Sequence, residues 1–308
     1  MIHYLILAHK NPEQLSMLCN SLESSVSYIY AHIDANVDQS FFESYLQKNK
    51  IEYIRDRVNI YRWWFSMVQA TLNWIKQIFP KMKKNDHIVV MSWQDFPIKS
   101  QNYIHTILQK NKWKSFVWYV KQPNDERDIT KRVTKYYFHD LIVPDWIDIC
   151  LKKILWFFIA VPPLRNQIFG YIWQRVVNFF LPQRKTLLKK YNLYRGSQRQ
   201  ILSYDLVKYI SELVGSSEGK LLIKLFKNTA GPDELFFQTV FLNSQYKETI
   251  ENFTHWYMDR KTWDTLPKIL TMEDFPLMKN SPYFFARKFD MDLDKNILNH
   301  LSSELLHE

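Results

Sequence analysis

Four compact apolar runs in the first hundred residues, separated by segments of helical pattern, constrain the fold more than any other feature of this chain. They are HYLILA (3–8), SYIYAHI (27–33), IEYI (51–54) and HIVVMS (87–92). Runs this short and apolar predict strands in a buried sheet. Between the first two, Asn11-Pro12-Glu13 predicts a helix start, with Asn as cap and Pro at the first helical position. Between the last two, Phe65, Val68, Leu72, Ile75 and Phe79 form one apolar stripe, so residues 64–79 are predicted as an amphipathic helix. Strand and helix in this alternation predict an α/β fold, a mainly parallel central sheet with helices on both faces. Further strands are expected at 113–120, 192–203 and 283–289, and helices at 204–214 and 232–243. With 308 residues and no internal repeat, one domain spanning 1–308 is expected.

In such sheets, ligands sit beyond the carboxyl ends of the strands. Ala8-His9-Lys10, His32-Ile33-Asp34 and Ser92-Trp93-Gln94-Asp95 all fall at that edge, which makes it a candidate nucleotide pocket. The competing reading is that Asp34 and Asp95 only cap turns, as single Asp residues at strand ends often do. The chain has just five glycines and neither a P-loop nor a G-x-G-x-x-G run, which argues against those two phosphate-binding sites. Two distant cysteines, Cys19 and Cys150, suit a reducing compartment and exclude a cysteine-built zinc site. The net charge of +10 favours anionic partners, but no nucleic-acid reader motif accompanies it. The first apolar stretch is too short for a signal peptide and lacks a basic leader, so it is taken as a strand.

Residues 145–190 form an aromatic and basic segment, expected to be a helical insertion. Its longest apolar run, Ile154 to Leu164, is far short of the ~20 residues that span a bilayer. Aromatic faces flanked by Lys and Arg are what interfacial helices show, so membrane-surface contact competes with packing on the body of the domain. Further on, Gly196-Ser197 offers a place for backbone to approach a ligand. Pro232-Asp233-Glu234 opens an otherwise apolar helix start. There Asp233 suits a cap, and Glu234 suits either a solvated first-turn acid or a general base facing a cavity.

Seven motifs in order carry a resemblance that runs from Ile2 to about Asp294: AHKNP (8–12), AHID (31–34), RWWFSMVQATL (62–72), MSWQDFPIKS (91–100), YRGSQRQILS (194–203), GPDELFFQTV (231–240) and FFARKFDMD (284–292). The chain resembles the core-2/I-branching N-acetylglucosaminyltransferase family, which also contains the peptide O-xylosyltransferases. The resemblance implies an inverting GT-A type sugar transferase that uses a UDP-sugar and no metal or other cofactor. Glu234 matches the family's catalytic base. Ala8, His9 and Asp34 match the donor pocket, with Asp95 at the same edge. Lys288 matches a diphosphate-binding lysine, Lys268 is the candidate for a second cation, and Arg287 competes with Lys288. Arg132, with Lys131 as near alternative, matches a cation of the acceptor loop. Trp256 resembles an acceptor-stacking tryptophan, with a plain core tryptophan as the alternative, and Gly196 and Ser197 are placed on the acceptor side. Asp290, Asp292 and Asp294 contain a D-x-D pattern but are read as a turn or helix start.

Two departures stand out. Trp63-Trp64-Phe65 replaces the family's usual Trp-Gly-Gly, and Ser92-Trp93-Gln94-Asp95 replaces Ser-Gly-x-Asp. They put the sugar in question more than the reaction. The animal relatives' several disulfides and N-terminal membrane anchor are not expected here. The resemblance therefore implies a bacterial enzyme facing the cytoplasm, peripheral at the inner membrane surface, acting on a glycan or lipid-linked saccharide. The alternatives are a xylosyltransferase of the same family and a non-catalytic module that binds membranes or glycans.

Overall fold

The computed structural model describes the chain except for residues 48–49, 62–63, 122–125, 136, 138–189, 260–266 and 307–308. The predicted 145–190 insertion therefore lies outside the described residues but for Lys190.

The larger sheet has seven strands in the order β3-β2-β1-β4-β7-β6-β8. These are β1 (Ile2–Ala8), β2 (Ser27–Ile33), β3 (Ile51–Tyr53), β4 (His87–Ser92), β6 (Ser115–Lys121), β7 (Tyr194–Ser203) and β8 (Ile250–Glu251). β1 to β4 run parallel, β7 is antiparallel to both its neighbours, and β8 is parallel to β6. This is the α/β fold with a mainly parallel sheet expected from the sequence. A smaller sheet joins β5 (Asp95–Pro97), β10 (Phe285–Arg287) and β9 (Trp256–Met258), three short strands far apart in the chain.

The parallel strands read as continuous apolar runs because both faces of the sheet are covered. Leu5 and Leu7 of β1 point into one core with Ile88 and Val90 of β4. Ile2, Tyr4, Ile6 and Ala8 point into the other with Val89 and Met91. Helices α1 (Pro12–Leu22), α2 (Gln39–Leu46) and α4 (Gln101–Lys110) supply the second core. Helices α3 (Phe65–Ile78), α6 (Tyr204–Gly215), α7 (Ser217–Lys227) and α8 (Phe236–Leu242) supply the first, and the short α5 (Glu126–Thr134) adds Ile129 and Val133 to it. The α3 stripe is buried as predicted at Phe65, Val68, Leu72 and Ile75, while Phe79 begins a 3-10 turn past the helix end.

Two predicted caps differ. Asn11 precedes α1 in the left-handed region, φ 52°, and makes no side-chain cap bond; its amide instead reaches Asp292. The helix predicted at 232–243 is a 3-10 turn, Pro232–Glu234, followed by α8, and Asp233 caps neither. The acids after β10 behave as expected: Asp294 accepts from the amides of Asn296 and Ile297 ahead of α9 (Lys295–Leu306), and Asp290 accepts from that of Asp292. Among the described residues, no helix is long and apolar enough to cross a membrane.

Candidate active site

A buried ion cluster sits where the two sheets meet. Asp95, fully buried, pairs in register with Arg287 of β10. Its Oδ2 accepts from the Ser92 amide at 2.6 Å and the Ser92 hydroxyl at 3.1 Å. Its Oδ1 accepts from Arg287 Nη1 at 3.0 Å and Arg199 Nε at 3.3 Å. Arg287 Nη1 also donates to the Ser92 hydroxyl at 2.6 Å. Burial alone would raise the Asp95 pKa; the Arg199 and Arg287 guanidinium groups, with the Ser92 amide, outweigh it and hold the carboxyl below its ordinary value. Burial and the neighbouring Arg287 push Arg199 down to about 10, against the pull of Asp95. One carboxylate between two guanidinium groups leaves the cluster with a surplus positive charge.

Arg199 reaches Asp95 because β7 is irregular. Val117 pairs with Gln200 and Tyr119 with Gly196, so one residue on β6 faces three on β7, Ser197 to Arg199. Such bulges re-aim side chains beside functional sites. Ser197 braces this one, its hydroxyl accepting from the Arg199 amide and its carbonyl accepting from Gln238 Nε2 at 2.7 Å. Gly196 lies tight against the neighbouring strand and the Gln238 side chain. A Cβ there would lie 2.0 Å from the Trp118 carbonyl oxygen and 2.9 Å from the Gln238 side chain.

The 3-10 turn that carries Glu234 packs on β7 and α3. The Glu234 side chain is 30% exposed, and its Oε2 accepts from Arg132 Nη1 of α5 at 3.2 Å. Gly231 enters the turn with φ 61°, close under the same guanidinium group. Two residues that the motifs place 102 positions apart are thus brought into contact. Asp233 lies inward, 8% exposed. Burial and the adjacent Glu234 push its carboxyl up to about 7, against Arg199 and Arg132.

The remaining candidates divide. Lys288 follows Arg287 and makes no ion pair or side-chain hydrogen bond among the described residues. Arg287, its predicted competitor, is held by Asp95 and Ser92. The Lys268 segment runs beside Lys288, since the Leu270 amide bonds the Lys288 carbonyl at 2.9 Å. Its ammonium, however, is spent on Asp274 at 2.7 Å. Trp256 is 2% exposed and tilted against Phe285, so its ring is core and not an open face for an acceptor. Asp95, with no exposed surface, holds arginines rather than meeting a donor directly. Of the bulky residues that stand where the resemblance expects glycine, Phe65 packs against Phe236, Trp93 edge-on to His9, and Trp64 lies tilted against Tyr61.

At the end of β2, Asp34 is 6% exposed and its Oδ1 accepts from the Asn36 and Ile60 amides. Its own amide bonds the carbonyl of Ala8, whose side chain is buried, while His9 is exposed at the strand end. Arg57 staples this corner through the carbonyls of Ile33, Asp34 and Val37. Next to it opens a pocket of about 450 Å³ lined by Arg57, Val58, Asn59, Tyr61, Phe65 and Lys227, among others. Sequence reasoning passed over Arg57, Arg199 and Asp233 as site residues. Arg199 lay within the YRGSQRQILS run, but nothing local marks the bulge that turns it toward Asp95.

Residues 2–279 match the model of the Core-2/I-Branching enzyme family. The chain belongs to that family. It is similar to beta-glucuronosyltransferase GlcAT14B of Arabidopsis thaliana, 28% identical over 143 residues, 44% of this chain and 31% of that protein. The chain thus spans about a third of this curated relative. Among solved structures it is similar to 4-diphosphocytidyl-2C-methyl-D-erythritol synthase from Anaerococcus prevotii DSM 20548, at 15% identity over 91% of this chain and 94% of that one, with a TM-score of 0.38. A second is mannose-6-phosphate isomerase from Helicobacter pylori, at 13% identity over 72% and 77%, with a TM-score of 0.29.

Proposed function

We propose that the chain is an inverting glycosyltransferase that moves a sugar, N-acetylglucosamine in the first instance, from its UDP conjugate to a hydroxyl of a glycan or lipid-linked saccharide, without a metal. The observation that carries this reading is the charge cluster that lies between the Glu234 turn and the strand leading to Lys288. Glu234 adjoins Asp233, which feels Arg199; Arg199 and Arg287 share Asp95; Lys288 follows Arg287. The reading takes Glu234 as the base and Lys288, which makes no ion pair among the described residues, as the cation of one site.

In the reaction, Glu234 takes the proton of the acceptor hydroxyl as its oxygen attacks the anomeric carbon. The bond from that carbon to the diphosphate breaks, and UDP leaves with the electron pair. Displacement from the opposite face turns an α-linked donor into a β-linked product. Lys288, backed by the surplus charge of the arginine cluster, stabilises the departing diphosphate. Arg132 orients the base before the acceptor arrives.

The plant relative's name makes glucuronic acid a second donor to test, and UDP-xylose is a third. Peripheral attachment at the inner face of a membrane belongs to the same proposal and rests on the aromatic, basic composition of 145–190. Calorimetric titration with UDP, with and without EDTA, tests the donor site; loss of binding on chelation contradicts metal independence. Glu234→Gln is expected to keep UDP affinity and abolish transfer. Near-normal turnover by that variant would remove Glu234 from the mechanism.

A further inference from the structure

Asp233 is an acid that the reaction above does not use, and its surroundings are unusual. It is more than nine-tenths buried, and its Oδ1 has no hydrogen-bond partner. It caps no helix. Burying a carboxyl group with an unfilled acceptor is destabilising, so turn geometry alone does not account for an acid here. The charged groups that face it are Glu234 on its own turn, Arg132 from α5 and Arg199 from the β7 bulge. α8 carries no ionisable residue, and α3 meets this region through Phe65 against Phe236. Asp233 therefore feels both the Glu234–Arg132 pair and the Arg199 of the buried Arg199–Asp95–Arg287 cluster.

We propose that Asp233 is a positioning residue that couples the two halves of the site, holding a proton while the donor's diphosphate is bound so that Glu234 is the one ionised carboxylate facing the acceptor. The inference rests on the transferase reading. An ionised Asp233 would add negative charge beside Arg199 and oppose the incoming diphosphate. A protonated one leaves the surplus positive charge of the Arg199–Asp95–Arg287 cluster undiminished and keeps Glu234 paired with Arg132. Binding of the diphosphate thus takes a proton from solvent onto Asp233. That proton returns to solvent when UDP leaves. Because burial and the adjacent Glu234 push the carboxyl up to about 7, the uptake falls in a range open to measurement.

The probe is UDP alone, titrated by calorimetry at pH 7.5 in two buffers of different ionisation heat. Wild type is expected to take up more protons on binding than Asp233→Asn, which has no proton to gain. The Asn variant is expected to bind UDP about tenfold more tightly than wild type at pH 8 and equally at pH 5.5. Equal proton uptake by the two proteins, or an affinity ratio that does not change with pH, overturns the proposal. Asp233→Ser gives the same comparison should the Asn variant fail to fold. Failure of the transferase reading looks different: wild type itself would not bind UDP, or Glu234→Gln would retain transfer.

Discussion

Asp95→Asn isolates the charge that holds the centre of the molecule together. The carboxylate has no exposed surface and accepts four bonds, two from Ser92 and one each from Arg199 and Arg287, whose side chains are 16% exposed. An asparagine of the same shape turns an NH2 group toward one set of donors and leaves two buried cations without a counter-charge. Breaking a buried pair in this way costs about 3–5 kcal/mol, a large share of the ~5–15 kcal/mol that typically holds a domain folded. The expected fall in melting temperature is on the order of 10 °C. Urea unfolding followed by circular dichroism measures the loss. The pH dependence follows from the lowered carboxyl pKa. The contribution is complete above the unfolded value near ~3.9 and disappears as pH falls through the folded value. Wild type and variant should therefore converge in stability as the solution is acidified below about pH 4. A gap under about 1 kcal/mol at pH 7, the range of an ordinary surface pair, would refute the reasoning.

Gly196→Ala puts a methyl group against the Trp118 carbonyl and should cost about 3 kcal/mol or more, read from the denaturant midpoint. The same variant should weaken UDP binding, because the bulge that aims Arg199 must shift. Lys288→Ala should weaken UDP binding by about 10- to 100-fold, the loss of one charge-assisted bond. Lys268→Ala should change it little, because that ammonium is already paired with Asp274. Trp256→Ala should lower stability by about 3–5 kcal/mol and leave acceptor KM unchanged in whatever protein remains folded, since the ring is core.

The corrections at particular residues share one cause. Asp233 reads as a cap because Asp before an apolar run usually is one; its burial comes from β7, some thirty residues upstream, passing behind the turn. Gly196 reads as a place for ligand approach, whereas the atom that approaches is the Trp118 carbonyl on the neighbouring strand. Lys268 reads as a free cation until Asp274, six residues on, is seen to hold it. For Asp233 and Gly196 the deciding partner lies outside the window that local propensity senses, and for Lys268 it lies nearby at a spacing that no regular helix or strand brings together.

What the linear chain determined alone is the layered α/β scaffold and the strand ends where polar groups gather. Burial on both faces writes β1, β2 and β4 as unbroken apolar runs, and the α3 stripe writes its helix, so local pattern and final burial coincide. Folding alone decided which charges meet. The small sheet is three strands of three residues each, of which only β10 falls in an expected strand, 283–289, yet their pairing sets Arg287 opposite Asp95. A bulge in β7 adds Arg199, and a 3-10 turn sets Glu234 against Arg132. Ion pairing depends on distances of a few ångströms between segments far apart in the chain, and only the assembled sheets fix those distances.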